Sequence, residues 1–156
     1  MAKKKCKKPI PLFKGFSKDE TLEEFIQGTS SDIVDETFSS ALKRYIDDLS
    51  MSNAYLCQMT KISTATISRY LRDSEYVGYL YLCAICIAIR LHPARQRYLF
   101  SLVGYTLPSE KKKPQTGDYI VQKYLDSCAF FEEYTLPACN NELLVNMKKP
   151  LTKLFG

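Results

Sequence analysis

The chain is poor in the groups that catalysis draws on. Among its 156 residues there is one histidine, His92, and there is no glycine-rich phosphate loop, His-Glu-x-x-His pair or Gly-x-Ser-x-Gly elbow. Its carboxylates are dispersed or gathered near the N-terminus, without the framing that general acid–base chemistry needs. These absences argue against an enzyme. No apolar run approaches the roughly 18–20 residues of a membrane span. The longest, Val77 to Ile89, is broken by Gly78, tyrosines and cysteines, and reads as a buried helix. The basic N-terminus has no apolar stretch behind it, so no signal peptide is expected. The six cysteines lack the loop-rich spacing of a secreted scaffold, and Cys57, Cys83 and Cys86 occupy apolar helical positions as small hydrophobes. Cys83-Ala-Ile-Cys86 is spelt CxxC, but no second CxxC or histidine pair completes a four-ligand zinc set. No metal and no cofactor are expected.

What is present is an uneven distribution of charge. The net charge of +5 breaks down into +5 over residues 1–8, −5 over 9–36, +4 over 37–108 and +1 over 109–156. A lysine tail and an acidic arm therefore precede a basic central region, whose charge suits the salt-sensitive phosphate attraction of nucleic-acid binding. The arm carries Leu12, Phe13 and Phe16, which could anchor it, and Thr21 to Ile26, which could form a helical turn or two. Its acidity could also let it lie across the basic face and compete with DNA.

The most informative stretch is residues 49–71. Tyr55, Leu56 and Met59 follow helical i, i+3, i+4 spacing. Ser52 stands where an N-cap would accept an orphan backbone N–H. The first helix should stop at Lys61, and Ser63 should cap a second, with Ile67 and Tyr70 or Leu71 facing inward. Thr64, Ala65, Ser68 and Arg69 are left on the outer face. Small residues there allow close approach to base edges, Thr64 and Ala65 can meet a thymine methyl, and Arg69 can offer its fork to guanine. Asn53, Lys61, Thr66 and Arg72 fall near the phosphates.

This stretch resembles the Cro/phage-repressor, or xenobiotic-response-element, type of helix-turn-helix protein. The resemblance runs through Met51, Ser52, Leu56, Cys57, Thr60, Ile62, Ser63, Thr66, Ile67, Ser68 and Arg69, and covers about residues 37–108. Phe38 to Leu49 would be the family's first helix, Leu82 to Pro93 its fourth and Arg95 to Tyr105 its fifth. Two positions depart from the pattern. Lys61 replaces the usual turn glycine, at a site that commonly needs φ > 0, and Asn53 replaces a longer glutamine.

The resemblance implies an all-α fold, with a compact five-helix, lambda-repressor-like helix-turn-helix domain at residues 37–108. Residues 1–36 would be a largely flexible basic tail and acidic arm, residues 109–117 a linker, and residues 118–156 a helical C-terminal extension. Within that extension we expect a helix over 118–135, a break at Pro137 and a last helix over about 140–147. It resembles, loosely, a short helical extension of some family members at Asn140 or Asn141, Leu143 or Leu144, and Pro150-Leu151. The implied function is a sequence-specific DNA-binding transcriptional regulator of bacterial cytoplasm, acting on double-stranded DNA as a homodimer because two-fold operators favour dimers. No membrane partner or small-molecule ligand is expected. The alternatives are a protein-interaction module that keeps the fold without reading DNA, and an antitoxin-like partner.

Overall fold

A computed structural model describes residues 10–16, 19–27, 36–72 and 76–152. Among the described residues every regular element is helical: α1 (Leu22–Gln27), α2 (Phe38–Asp48), α3 (Asn53–Thr60), α4 (Thr64–Leu71), α5 (Tyr79–Ala88), α6 (Pro93–Leu102), a 3₁₀ turn (Pro108–Glu110), α7 (Thr116–Ser127) and α8 (Leu136–Val145). The all-α expectation holds. The lysines of residues 1–8, and Asp73 and Glu75 between α4 and α5, lie outside the described residues.

The centre of the molecule is α5. Its buried surface is not a one-sided stripe of Leu80, Cys83, Ala84, Ile87 and Ala88. Every residue from Leu82 to Ala88 is buried, whereas Leu80 is 39% exposed. A helix that is apolar all round must be enclosed, and here α3, α7 and α8 all pack on it. Its side chains join those of α2, α4, α6, α7 and α8 in one continuous apolar cluster. The stripe of Phe38, Leu42, Tyr45 and Ile46 on α2 is buried in the same cluster, as are Ile120, Val121, Tyr124 and Leu125 of α7.

Two pieces of the arm that the sequence left largely flexible are docked on this core. Phe13 donates its N–H to Ala129 O at 2.7 Å. Its ring lies 5.2 Å from Phe25 and 4.5 Å from His92. Phe25 of α1 is buried, and the Tyr45 hydroxyl donates to the carbonyl of Ile26. Arg95 of α6 is itself buried. Its guanidinium sits 3.9 Å from the Phe25 ring centroid and 4.4 Å from that of Tyr45. It donates to Phe25 O at 3.0 Å and pairs with Asp48 at 3.1 Å. A buried guanidinium is tolerable because aromatic faces and an acid replace its hydration.

The prolines also differ from expectation. Pro137 does not break the chain. It lies in the first turn of α8, where its missing N–H would have been unpaired anyway, and Thr135 caps the helix by accepting from Ala138 N at 3.2 Å. The last helix thus starts earlier than expected. Its buried residues are Leu136, Cys139, Asn140 and Leu143, while Met147 is 92% exposed. Likewise Pro93 opens α6 rather than closing α5, with His92 as N-cap accepting from Ala94 N at 3.0 Å. Burial and the neighbouring Arg95 hold the His92 imidazole below its ordinary 6.5, which keeps Nδ1 free to accept. Asn140, one of the asparagines singled out in the tail, accepts from Leu151 N at 2.8 Å and ties the chain end back onto α8.

Candidate nucleic-acid interface

Helices α3 and α4 are short, eight residues each, and only Lys61, Ile62 and Ser63 separate them. Each is started by a serine. Ser52 accepts from Tyr55 N at 3.0 Å and Ser63 from Thr66 N at 3.2 Å, so both expected caps are in place. The connection is closed from inside by Thr60. Its buried hydroxyl donates to Leu56 O at 2.8 Å and accepts from Ile62 N at 3.2 Å. Lys61 adopts the left-handed conformation, φ 66° and ψ 20°, and its N–H bonds to Cys57 O. The turn therefore has the positive φ that glycine would supply, imposed on a residue with a Cβ.

Among the described residues, helix α4 is held from one side. Ile67 and Tyr70 are buried, and α4 packs on α2 and α3. The Ser39 hydroxyl of α2 donates to the Tyr70 carbonyl, fixing the last turn of α4. This anchor is easily missed in the sequence, because Ser39 looks like any small residue on a helix.

Among the described residues the opposite face is accessible to solvent. Thr64 and Ala65 are exposed, and Ser68 and Arg69 are half-buried. At 100° per residue positions 64, 65, 68, 69 and 72 share that face, so the helix brings the four base-reading candidates together with Arg72, its exposed C-cap. Lys61 is exposed at the turn, and Asn53 is exposed in the first turn of α3, where the helix N-terminus favours anions. Thr66 is the exception among the phosphate candidates. Its hydroxyl oxygen accepts from Ser63 Oγ at 2.9 Å and is drawn into the cap.

The charge of residues 37–108 is less available than its sum suggests. Arg44 makes a bidentate pair with Glu36, both contacts at 2.7 Å. Arg95 is spent on Asp48, and Arg97 on Glu110 at 2.8 Å. Arg90 donates to the carbonyls of Cys128, Phe131 and Glu132. The exposed cations of the helix pair are Lys61 and Arg72. Burial raises the Glu36 carboxyl, but hydrogen bonds from Arg44 and Tyr98 and the charge of Arg44 outweigh it, leaving the group below its ordinary 4.5. Glu36, the last acid of the arm, is thus locked to the flank of α2.

Among the described residues no group of three or more histidine, cysteine or acidic side chains could hold a metal ion, and no helix is long and apolar enough to cross a membrane. Cys57, Cys83, Cys86, Cys128 and Cys139 are free thiols. Burial pushes Cys83 and Cys86 well above the ordinary thiol range and Cys128 and Cys139 up to about 12. No protein-family model matches the chain, and neither a curated protein nor a solved structure matches it.

Proposed function

We propose that the chain is a sequence-specific DNA-binding regulator in which α3 and α4 form a helix-turn-helix and α4 enters the major groove. Helices α2 to α6 then make up the five-helix domain, on which α7 and α8 are packed. The observation that carries this reading is the outward face of α4: Thr64, Ala65, Ser68 and Arg69 aligned with Arg72, on a helix whose other side is anchored by Ile67 and Tyr70. Small residues let the backbone approach base edges, and an arginine near the end of the run supplies directional donors. Asn53, Lys61 and Arg72 serve the phosphates, and a second copy of the chain supplies the other half-site.

A competing reading, an interaction module with the same fold, draws on the internal use of Arg44, Arg95 and Arg97. Selection from random-sequence DNA at two salt concentrations separates the two. A regulator enriches a near-palindromic motif, and its affinity falls steeply with salt, because each neutralised phosphate adds about 0.9 to the slope of log K against log salt. No enriched motif and a flat slope would leave the interaction module.

A further inference from the structure

We propose that the chain binds a small amphipathic monocarboxylate in the cavity framed by α5, α7, α8 and the loop that leads into α7. The cavity has a volume of about 350 Å³ and is lined by Tyr79, Leu80, Cys83, Val121, Leu143 and Leu151. It shares Tyr79, Leu80 and Leu151 with an adjoining groove of about 570 Å³. Together they fall in the size range of small-ligand sites, roughly 300–1,000 Å³. The cavity's tyrosine and aliphatic wall calls for an apolar body.

The mouth decides the sign of the head group. Lys111, Lys148 and Lys149 stand around it. Lys111 is already satisfied: its Nζ bonds Asp118 Oδ1 at 2.9 Å and lies 4.6 Å from the Tyr79 ring centroid. The other oxygen of Asp118 accepts from Gln115 N at 2.8 Å, so the one acid in the lining is spent within the loop. Lys148 and Lys149 are exposed and have no acidic partner among the described residues. Two uncompensated cations beside an apolar wall complement an anion carrying a hydrocarbon body. A bare inorganic anion would leave the wall wet, and a neutral apolar molecule would leave the lysines unused. Binding is non-covalent, because the Cys83 thiol is buried and held protonated. The ligand acts on the element that supports the helix pair, since α5 also packs on α3.

Two variants address the wall and the mouth. Gly117 lines the cavity, and a Cβ there would meet only side chains, Lys148 Cγ at 3.6 Å and Leu143 Cδ2 at 3.7 Å, both ordinary contacts, so Gly117→Leu adds bulk to the lining with no backbone atom against its Cβ. The double variant Lys148→Glu, Lys149→Glu changes only exposed side chains. The test is an NMR titration of the full chain with octanoate, alongside acetate (the head group alone) and 1-octanol (the body alone). The expected result is saturable octanoate shifts confined to the amides of α5, the start of α7 and residues 143–151. Charge reversal should weaken octanoate by about tenfold or more while leaving octanol unchanged, and Gly117→Leu should abolish both. Octanol binding as tightly as octanoate, octanoate indifferent to charge reversal, or shifts absent from these helices would each overturn the proposal. The readout involves no DNA, so it stands or falls apart from the role of α4.

Discussion

Helices α4 and α5 are neighbours in the chain and meet opposite demands. Both are about the same length. α4 alternates two buried anchors, Ile67 and Tyr70, with an open face of small and cationic residues. α5 is buried from Leu82 through Ala88 and has almost no polar group to present. A helix held on one side can offer the other to a partner. A helix enclosed along most of its length, as α5 is from Leu82 to Ala88, chiefly sets the position of what packs on it. If α4 reads DNA, stability and that reading are carried by different helices, and substitutions should separate them.

The strongest test of that separation is the centre of α5. Leu82 is fully buried, and Leu82→Ala removes methyl groups from a site walled in by several helices. A loss of about 2–5 kcal/mol is expected, the usual range for such truncations. Urea unfolding followed by circular dichroism measures it. A loss below 1 kcal/mol would mean that the core around α5 collapses freely, and the contrast with α4 would weaken.

Next in size is the pair that fixes the start of α2. Glu36→Gln keeps the shape but removes the charge opposing Arg44, whose Nη1 is already buried without a partner. Near neutral pH the cost should be about 1–3 kcal/mol. The pH dependence has a definite sign. The folded-state carboxyl titrates below its ordinary 4.5, so the unfolded chain takes up its proton first as pH falls. The contribution of Glu36 is fully present above about pH 5 and is lost as pH drops through the folded value. Unfolding midpoints of the two proteins should converge as pH falls below that range. A gap that stays constant down to pH 3 would exclude ionic pairing as its source.

Much of this division is legible in the sequence, and what is not has a common cause. The caps Ser52 and Ser63, the anchors Ile67 and Tyr70, and the stripe on α2 follow from spacing and side-chain chemistry. Helix ends are harder. Among the described residues only Gly104, φ 76°, ends a helix in the left-handed region with a glycine, and Ser50, Lys61, Arg90 and Met147 do so with a Cβ. Leu91 N bonds back to Cys86 O, and Lys148 N to Leu143 O, the 6→1 closure of a Schellman end. With the usual glycine punctuation missing, α5 reads on toward Pro93 and α8 on to Met147. The docking of the arm and the burial of Arg95 were hidden for another reason. They depend on contacts such as Arg95 with Phe25, 70 positions apart, which no local period encodes.

Lys61 joins that observation to the comparison, because it is the left-handed residue that borders α4. Lys61→Gly relieves the Cβ at φ 66° and should stabilise the fold by about 0.5–1 kcal/mol, offset in part by the freer unfolded chain. If α4 reads DNA, the same change removes one phosphate contact and lowers the salt slope by about 1. Thermal unfolding and DNA titration thus move in opposite directions. A destabilised Lys61→Gly would show that the lysine side chain itself contributes to packing at the turn.

The smallest effect on stability should come from the open face of α4. Arg69 is half-exposed, and Arg69→Ala exchanges one good helix former for another, so the unfolding free energy should change by no more than about 0.5 kcal/mol. On DNA the prediction is the reverse of that for Leu82→Ala. Binding to the selected motif should weaken by about 1–3 kcal/mol through a single base pair, while binding to random sequence stays nearly constant. Equal loss on all sequences would make Arg69 a phosphate contact and shift base reading to Thr64, Ala65 and Ser68. No loss on any sequence, in a protein of unchanged stability, would remove α4 from the interface altogether, since its face would then bear neither on the fold nor on DNA.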